Sequence, residues 1–176
     1  ISLMHGNRDF LLSKNYCEKY GIELISDPTI IDLYGKKVLL MHGDTLCTDD
    51  IKYQEFRKLV RSRQWQDDIL SRSLEERLNL AKTLRVESEK ATKVKDEYIM
   101  DVNQDAVLKV INKYDVDILI HGHTHRPNIH NIIIDNKNIK RIVLGDWYDK
   151  TFILNYDGDN LKIEKTSLIS QRDHSS

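Results

Sequence analysis

Apolar residues come in short runs near both ends of the chain and at helical spacing in between. Residues 1–4 read as a strand running into the loop His5-Gly6-Asn7-Arg8-Asp9. Residues 10–20 have helical spacing and stop at Gly21, which suits the left-handed position after a helix. Residues 22–25 predict a short strand. Residues 29–33 and 37–41 predict a hairpin that turns at Tyr34-Gly35, its second arm the apolar run Val38-Leu39-Leu40-Met41. From residue 48 to about residue 95 glycine and proline vanish and charges become dense. There Leu70, Leu74, Leu78, Ala81 and Leu84 recur at three- and four-residue steps and predict an amphipathic helix. Ile51, Phe56, Leu59, Val60 and Trp65 predict another before it. Residues 101–114 read as a helix capped near Asp101, and residues 116–120 as a buried strand. Residues 129–134, 141–144, 151–156 and 161–166 predict a β meander with turns at residues 135–138 and 157–160.

These elements alternate without repeats over 176 residues, which suits one domain, 1–176, with a helical insertion over 51–98. The insertion leads straight out of the His42-Gly43-Asp44 loop, a position that favours a lid. Charge changes the picture little. Lys and Arg total 27 against 28 for Asp and Glu, so the chain lacks the basic excess of a dedicated nucleic-acid binder. Nothing in the sequence indicates a protein partner. The two cysteines, Cys17 and Cys47, have no paired metal or redox spacing and read as free thiols in a reducing cytosol. No apolar run is long enough to span a bilayer, so membrane association would be peripheral. Residues 170–176 are polar and are expected to fray. The chain opens in what reads as mid-strand, which leads us to expect an N-terminal truncation.

The chemistry sits at strand ends. Ile120-His121-Gly122-His123-Thr124-His125-Arg126-Pro127 sets histidines in alternation after an apolar strand, and strand periodicity sends alternate side chains to one face. Imidazoles that converge there make metal-ligand geometry. Three loops share one grammar, an apolar strand and then polar residues flanked by glycine: Gly6-Asn7-Arg8-Asp9, His42-Gly43-Asp44 and 121–125. Strand ends of this kind gather at one sheet edge. Together they offer the Asn7 oxygen and the imidazoles of His42, His123 and His125, a donor set suited to Mn²⁺, Fe²⁺ or Zn²⁺. Two such ions roughly 3.5–4 Å apart would activate water and clamp a phosphate. Asp9 and Asp44 read either as partners that orient the imidazoles or as loop caps. His5 and His121 are expected to point away, and His130 and His174 to be ordinary surface residues.

At these loops the chain resembles the calcineurin-like metallophosphoesterases. Their pattern runs Asp-x-His, Gly-Asp, Gly-Asn-His/Arg, His and Gly-His-x-His. The last three blocks are present here and the first two are absent. The resemblance implies an α+β fold: a β-sandwich flanked by helices, with N-terminal strands missing and a helical lid. The blocks His5-Gly6-Asn7-Arg8-Asp9-Phe10-Leu11-Leu12, residues 41–50, residues 99–104, His121 to Pro127 and residues 143–147 narrow it further. They look like the branch that hydrolyses a UDP-linked diacylglucosamine in lipid A synthesis.

The likeness implies water attack on the α-phosphorus with the help of two Mn²⁺. It implies that Asn7, His42 and His123 bind one ion and His125 the other. Arg8 would hold phosphate, with Arg8 and His123 as catalytic residues. Substrate contacts would come from Asn7, Arg8, Asp50, Ser88, Thr92, Lys95 and His123. Ser88, Thr92 and Lys95 share one helix face, although the family has an Asn where this chain has Thr92. The partner implied is a lipid-linked nucleotide sugar, and the place implied is the cytoplasmic face of the bacterial inner membrane, held peripherally. Without the first two blocks one ion keeps only His125, so the 176-residue chain alone is expected to bind metal weakly and turn over little. The alternatives are another calcineurin-like nucleotide phosphodiesterase and a non-catalytic scaffold.

Overall fold

The computed structural model describes residues 1–93, 99–148 and 150–167. Its centre is a five-stranded mixed sheet in the order β3-β4-β5-β7-β6. These strands are β3 (Thr29–Leu33), β4 (Lys36–Met41), β5 (Ile118–His121), β6 (Asn128–Ile134) and β7 (Lys137–Val143). β3 and β4 form the expected hairpin, with Tyr34 and Gly35 both at positive φ, as a two-residue turn requires. β4, β5 and β7 run parallel, and β6 pairs antiparallel with β7. β5 is buried at every residue, as its apolar run predicts for a central parallel strand. Before this sheet come β1 (Ser2–Met4), α1 (Lys14–Lys19) and β2 (Glu23–Ile25); β1 and β2 pair in parallel as a separate small sheet.

Alternation along the strands gives the sheet two apolar faces. Leu39, Met41, Leu119 and Ile139 face α5 (Gln104–Tyr114), which inserts Val107 and Ile111. Val38, Ile118, Ile120 and Ile142 face the other way, toward Leu154, Tyr156, Leu161 and Ile163 of the β8–β9 hairpin. That hairpin, β8 (Lys150–Tyr156) and β9 (Leu161–Ser167), forms the second β layer. The fold is α+β, a sheet with a hairpin on one face and a helix on the other.

Several expectations need correction. The four late strands are not one meander: β7 pairs with β6 on one edge and with β5 on the other, and β8–β9 stands apart as its own sheet. The first helix is only Lys14–Lys19, because Ser13 caps it by accepting from Tyr16 N–H and residues 9–12 close a turn instead. α5 is capped by Asn103; Asp101 pairs with Arg126 at 3.0 Å. The insertion comprises α2 (Ile51–Val60), α3 (Arg63–Ser71) and α4 (Leu74–Lys93). The leucine stripe from Leu70 to Leu84 thus crosses a break. Ser73 and Glu76 form a capping box there: Ser73 N–H donates to the Glu76 carboxylate at 2.9 Å, and Ser73 Oγ accepts from Glu76 N–H at 3.3 Å. Leu74 and Leu78 are exposed, while Leu80 and Leu84 are half-buried. No helix among the described residues is long and apolar enough to cross a membrane. The tail at residues 170–176, with His174, lies outside the described residues.

Candidate metal centre

β4 and β5 end together, with Met41 opposite His121. Gly122 N–H donates to the His42 carbonyl at 3.0 Å and carries the pairing one step further. Just past these ends the rings of His42 and His123 meet edge-on, centroids 4.9 Å apart and planes at 70°. The close approach depends on Gly43. It has φ 106°, and a Cβ there would lie 2.9 Å from His121 Nδ1 and 3.1 Å from the Gly122 carbonyl oxygen.

The alternating histidines do not follow strand geometry. β5 stops at His121, and His123 and His125 both take left-handed backbone, φ 67° and 55°. Two such residues turn the chain, so side-chain direction follows the loop and not the pleat. His123 faces His42 and the ring of Tyr53, 5.2 Å away between centroids. His125 is exposed, 3.6 Å from the Asp146 carboxylate and 6.5 Å from the Tyr148 ring centroid. His121 points inward. Its Nδ1 donates to the Gly122 carbonyl at 3.0 Å and its Nε2 accepts from Arg141 Nη1 at 3.2 Å. A carbonyl only accepts and a guanidinium only donates, so these partners assign the neutral tautomer. Burial, aided by the Arg141 charge, lowers the His121 pKa to about 4. Burial and the neighbouring His42 lower that of His123 to about 4 as well.

Asp44 is fully buried beneath this pair. One carboxylate oxygen accepts from Arg57 Nε at 2.7 Å and from the Tyr53 hydroxyl at 3.1 Å. The other lies 3.3 Å from His42 Nδ1, close in charge but not aligned as a hydrogen bond. Burial opposes the charge on Asp44, yet His42 and Arg57 outweigh it and hold the carboxyl well below the usual range. On the same side of His42, Asp27 Oδ1 accepts from the His42 backbone N–H at 3.3 Å. Burial and the Asp44 charge raise the Asp27 carboxyl.

The first loop lies on the opposite side of the His42 ring. A Cβ on Gly6 would stand 3.4 Å from His42 Nε2. Asp9 caps this loop by accepting from Gly6 N–H at 2.6 Å. Asn7 and Arg8 are exposed, and Arg8 Nη1 donates to the Tyr148 hydroxyl at 3.4 Å. His5 is turned away, its Nε2 2.8 Å from the Leu12 carbonyl.

The sequence profile of calcineurin-like phosphoesterases matches residues 1–127. The chain belongs to the calcineurin-like phosphoesterase family. Three curated relatives share the name UDP-2,3-diacylglucosamine hydrolase. That of Cellvibrio japonicus is 46% identical, over 93% of this chain and 68% of its own length. That of Marinobacter nauticus is 47% identical, over 88% and 63%. That of Vibrio vulnificus is 43% identical, over 97% and 70%. The chain therefore spans about two thirds of the length of these relatives.

Membership of this phosphoesterase family implies use of a divalent metal, and the donor set fits one. Asp27, His42 and Asp44 each offer a ligand atom within 4.8 Å of the others. Asp27 Oδ2, His42 Nδ1 and Asp44 Oδ1 are buried with no hydrogen-bond partner, and so remain open to a further partner.

Other predicted site residues lie on the insertion. Asp50 is buried and caps α2, accepting from Tyr53 N–H at 3.1 Å. Ser88 is exposed on α4. Thr92 also belongs to α4 by its backbone; its side chain, and Lys95 altogether, lie outside the described residues. His130 is half-buried near Arg141, not an ordinary surface residue. Both cysteines are buried, and burial pushes the Cys47 thiol up to about 12, which leaves it inert. Sequence reasoning missed Asp27, Tyr53, Arg57, Arg61 and Arg141. Asp27 sits in Ser-Asp-Pro, which reads only as a turn. Arg57 and Arg61 lie in a segment dense in charges, where no local pattern singles them out.

Proposed function

We propose that the protein is a UDP-2,3-diacylglucosamine hydrolase, which cleaves UDP-2,3-diacylglucosamine to 2,3-diacylglucosamine 1-phosphate and UMP in lipid A synthesis. The observation that carries this reading is the edge-on pairing of His42 and His123 at matched strand ends, in a chain 43–47% identical to relatives of that name. In this reading Asn7, His42 and His123 hold one Mn²⁺, and His125 belongs to a second. Asp27 and Asp44 then orient His42 from its Nδ1 side and leave Nε2 toward the Asn7 loop. Bound metal supplies an activated water and a positive clamp on phosphate oxygens.

The chain's own residues set the geometry. His123, kept neutral by burial, keeps a lone pair free and adds no positive charge beside the cations. The exposed Arg8 guanidinium offers a fork to two phosphate oxygens. As the water oxygen bonds to the α-phosphorus, the bond from that phosphorus to the bridging oxygen breaks. UMP and the sugar 1-phosphate result. Asp50 and Ser88 contact the substrate beyond its phosphates, and α4 lies over it as a lid. In this reading the two acyl chains hold the enzyme peripherally at a membrane surface, the cytoplasmic face of the inner membrane.

The test is chromatographic detection of UMP from UDP-2,3-diacylglucosamine. In the whole protein, Mn²⁺-dependent release, abolished by a chelator and reduced about a hundredfold in H123A, is expected. Hydrolysis of simple or cyclic phosphodiesters with none of the lipid nucleotide would overturn the reading.

A further inference from the structure

Arg57 on α2 and Arg61, the residue that ends it in helical conformation as its C-cap, stand one turn apart, so their side chains leave the same helix face. That face turns inward: only 22% and 20% of the two side chains is exposed. Arg57 Nε grips the Asp44 carboxylate at 2.7 Å. Arg61 Nη2 donates to the Gly6 carbonyl at 2.8 Å and lies 4.0 Å from the same carboxylate, while its guanidinium sits 5.0 Å from the centre of the Phe10 ring. Gly6 immediately precedes Asn7, and Asp44 lies two residues after His42. One helix face therefore holds both loops. Further bonds lock α2 to the second loop: Tyr53 reaches the Asp44 side chain, and Gln54 Nε2 donates to the Asp44 carbonyl at 2.7 Å and to the Cys47 carbonyl at 3.0 Å. Arg61 Nε is buried with no partner, so this residue forgoes one bond to keep Nη2 on Gly6.

We propose that Arg57 and Arg61 are positioning residues of the metal centre, which make α2 a brace that fixes the separation of the Asn7 and His42 loops. The inference rests on the reading that Asn7 and His42 share an ion. A planar fork suits the task because it fixes direction as well as distance, which a lysine ammonium does not. Losing the brace leaves each ligand on its own strand end but lets the loops drift, and metal affinity falls when supporting contacts are lost. α2, the first helix of the insertion, is then framework and not cover.

The experiment compares Mn²⁺ affinity, read by the EPR signal of free Mn²⁺, with thermal melting in chelator. R61M keeps the alkyl stem over Phe10 and removes the donor. It is expected to melt close to wild type yet bind Mn²⁺ about 10–100-fold more weakly. R61K keeps the charge but not the fork, and is expected to recover only part of that loss. R63M changes a side chain that is 95% exposed and should match wild type. If R61M does not fold, R61K decides, with an expected loss of at least about threefold. Wild-type affinity in whichever folded variant decides overturns the brace while leaving the proposed reaction intact. Absence of Mn²⁺ binding by the whole, unsubstituted protein overturns both.

Discussion

His121 and His123 lie two residues apart and are both held neutral by burial, yet their surroundings differ. His123 meets the His42 and Tyr53 rings, whereas His121 is enclosed between the Gly122 carbonyl and the Arg141 guanidinium. The Arg141 partner does not tolerate a second proton: Nε2 would have to donate toward a guanidinium that has nothing to accept with. This has a pH consequence. Unfolded, the imidazole takes up its proton near pH 6.5; folded, near pH 4. Between those values the unfolded chain binds more protons, so stability is full above about 6.5 and falls as pH drops toward 4. The loss from this one group is on the order of 3 kcal/mol. Urea unfolding in chelator at about pH 7.5 and about pH 5 measures it. H121Q should be less stable at neutral pH but show a flatter pH dependence. An undiminished slope in H121Q would assign the effect elsewhere.

At the scale of elements, the strands were legible because each carries its own signal. Continuous apolar runs marked β4 and β5, and Tyr34-Gly35 marked the first hairpin. The helical boundaries were less so, since caps are decided by one residue among several candidates. Asn103 and Asp101 look alike in sequence, but only Asn103 both accepts from Ala106 N–H at 3.0 Å and donates to the Asp49 carboxylate at 3.0 Å. Its own N–H reaches the Leu46 carbonyl at 2.8 Å. This one residue therefore starts α5 and ties it to the segment after His42. N103A is expected to cost about 1–2 kcal/mol. N103D keeps the capping oxygen but sets a second carboxylate against Asp49, and should lose most of its deficit when Asp49 is also changed to Ala. Chemical denaturation of the four proteins checks this. Equal deficits for N103D with and without Asp49 would show that the cap alone matters.

Across the whole molecule, what escaped the sequence was contact between segments far apart in it. The ligand loops could be found because glycine and histidine cluster locally, but which residues brace them could not. Arg61 and Gly6 touch across 55 positions, and no periodicity records that. The same holds for the β layer. β8 and β9 are readable as strands, yet nothing in their alternation says that they leave the meander and cover Val38, Ile118, Ile120 and Ile142. Gly145 shows what seats them. A Cβ there would lie 2.3 Å from Phe152 Cδ2 and 2.5 Å from Cγ, the near part of a ring rooted in β8. The ring cannot simply swing clear, because Trp147 Nε1 bonds the Phe152 carbonyl at 3.0 Å and fixes the backbone beside it. G145A must therefore lift the hairpin or distort the turn that carries Asp146 toward His125. Overpacking of this kind costs about 1–3 kcal/mol. If the ring is the cause, the cost disappears in a background that lacks it. F152A alone should destabilise, and adding G145A to F152A should change stability by less than about 0.5 kcal/mol. Thermal or urea unfolding of the two single variants and the double variant closes the cycle. Additive losses would place the strain in the backbone at Gly145 and remove the hairpin from the argument.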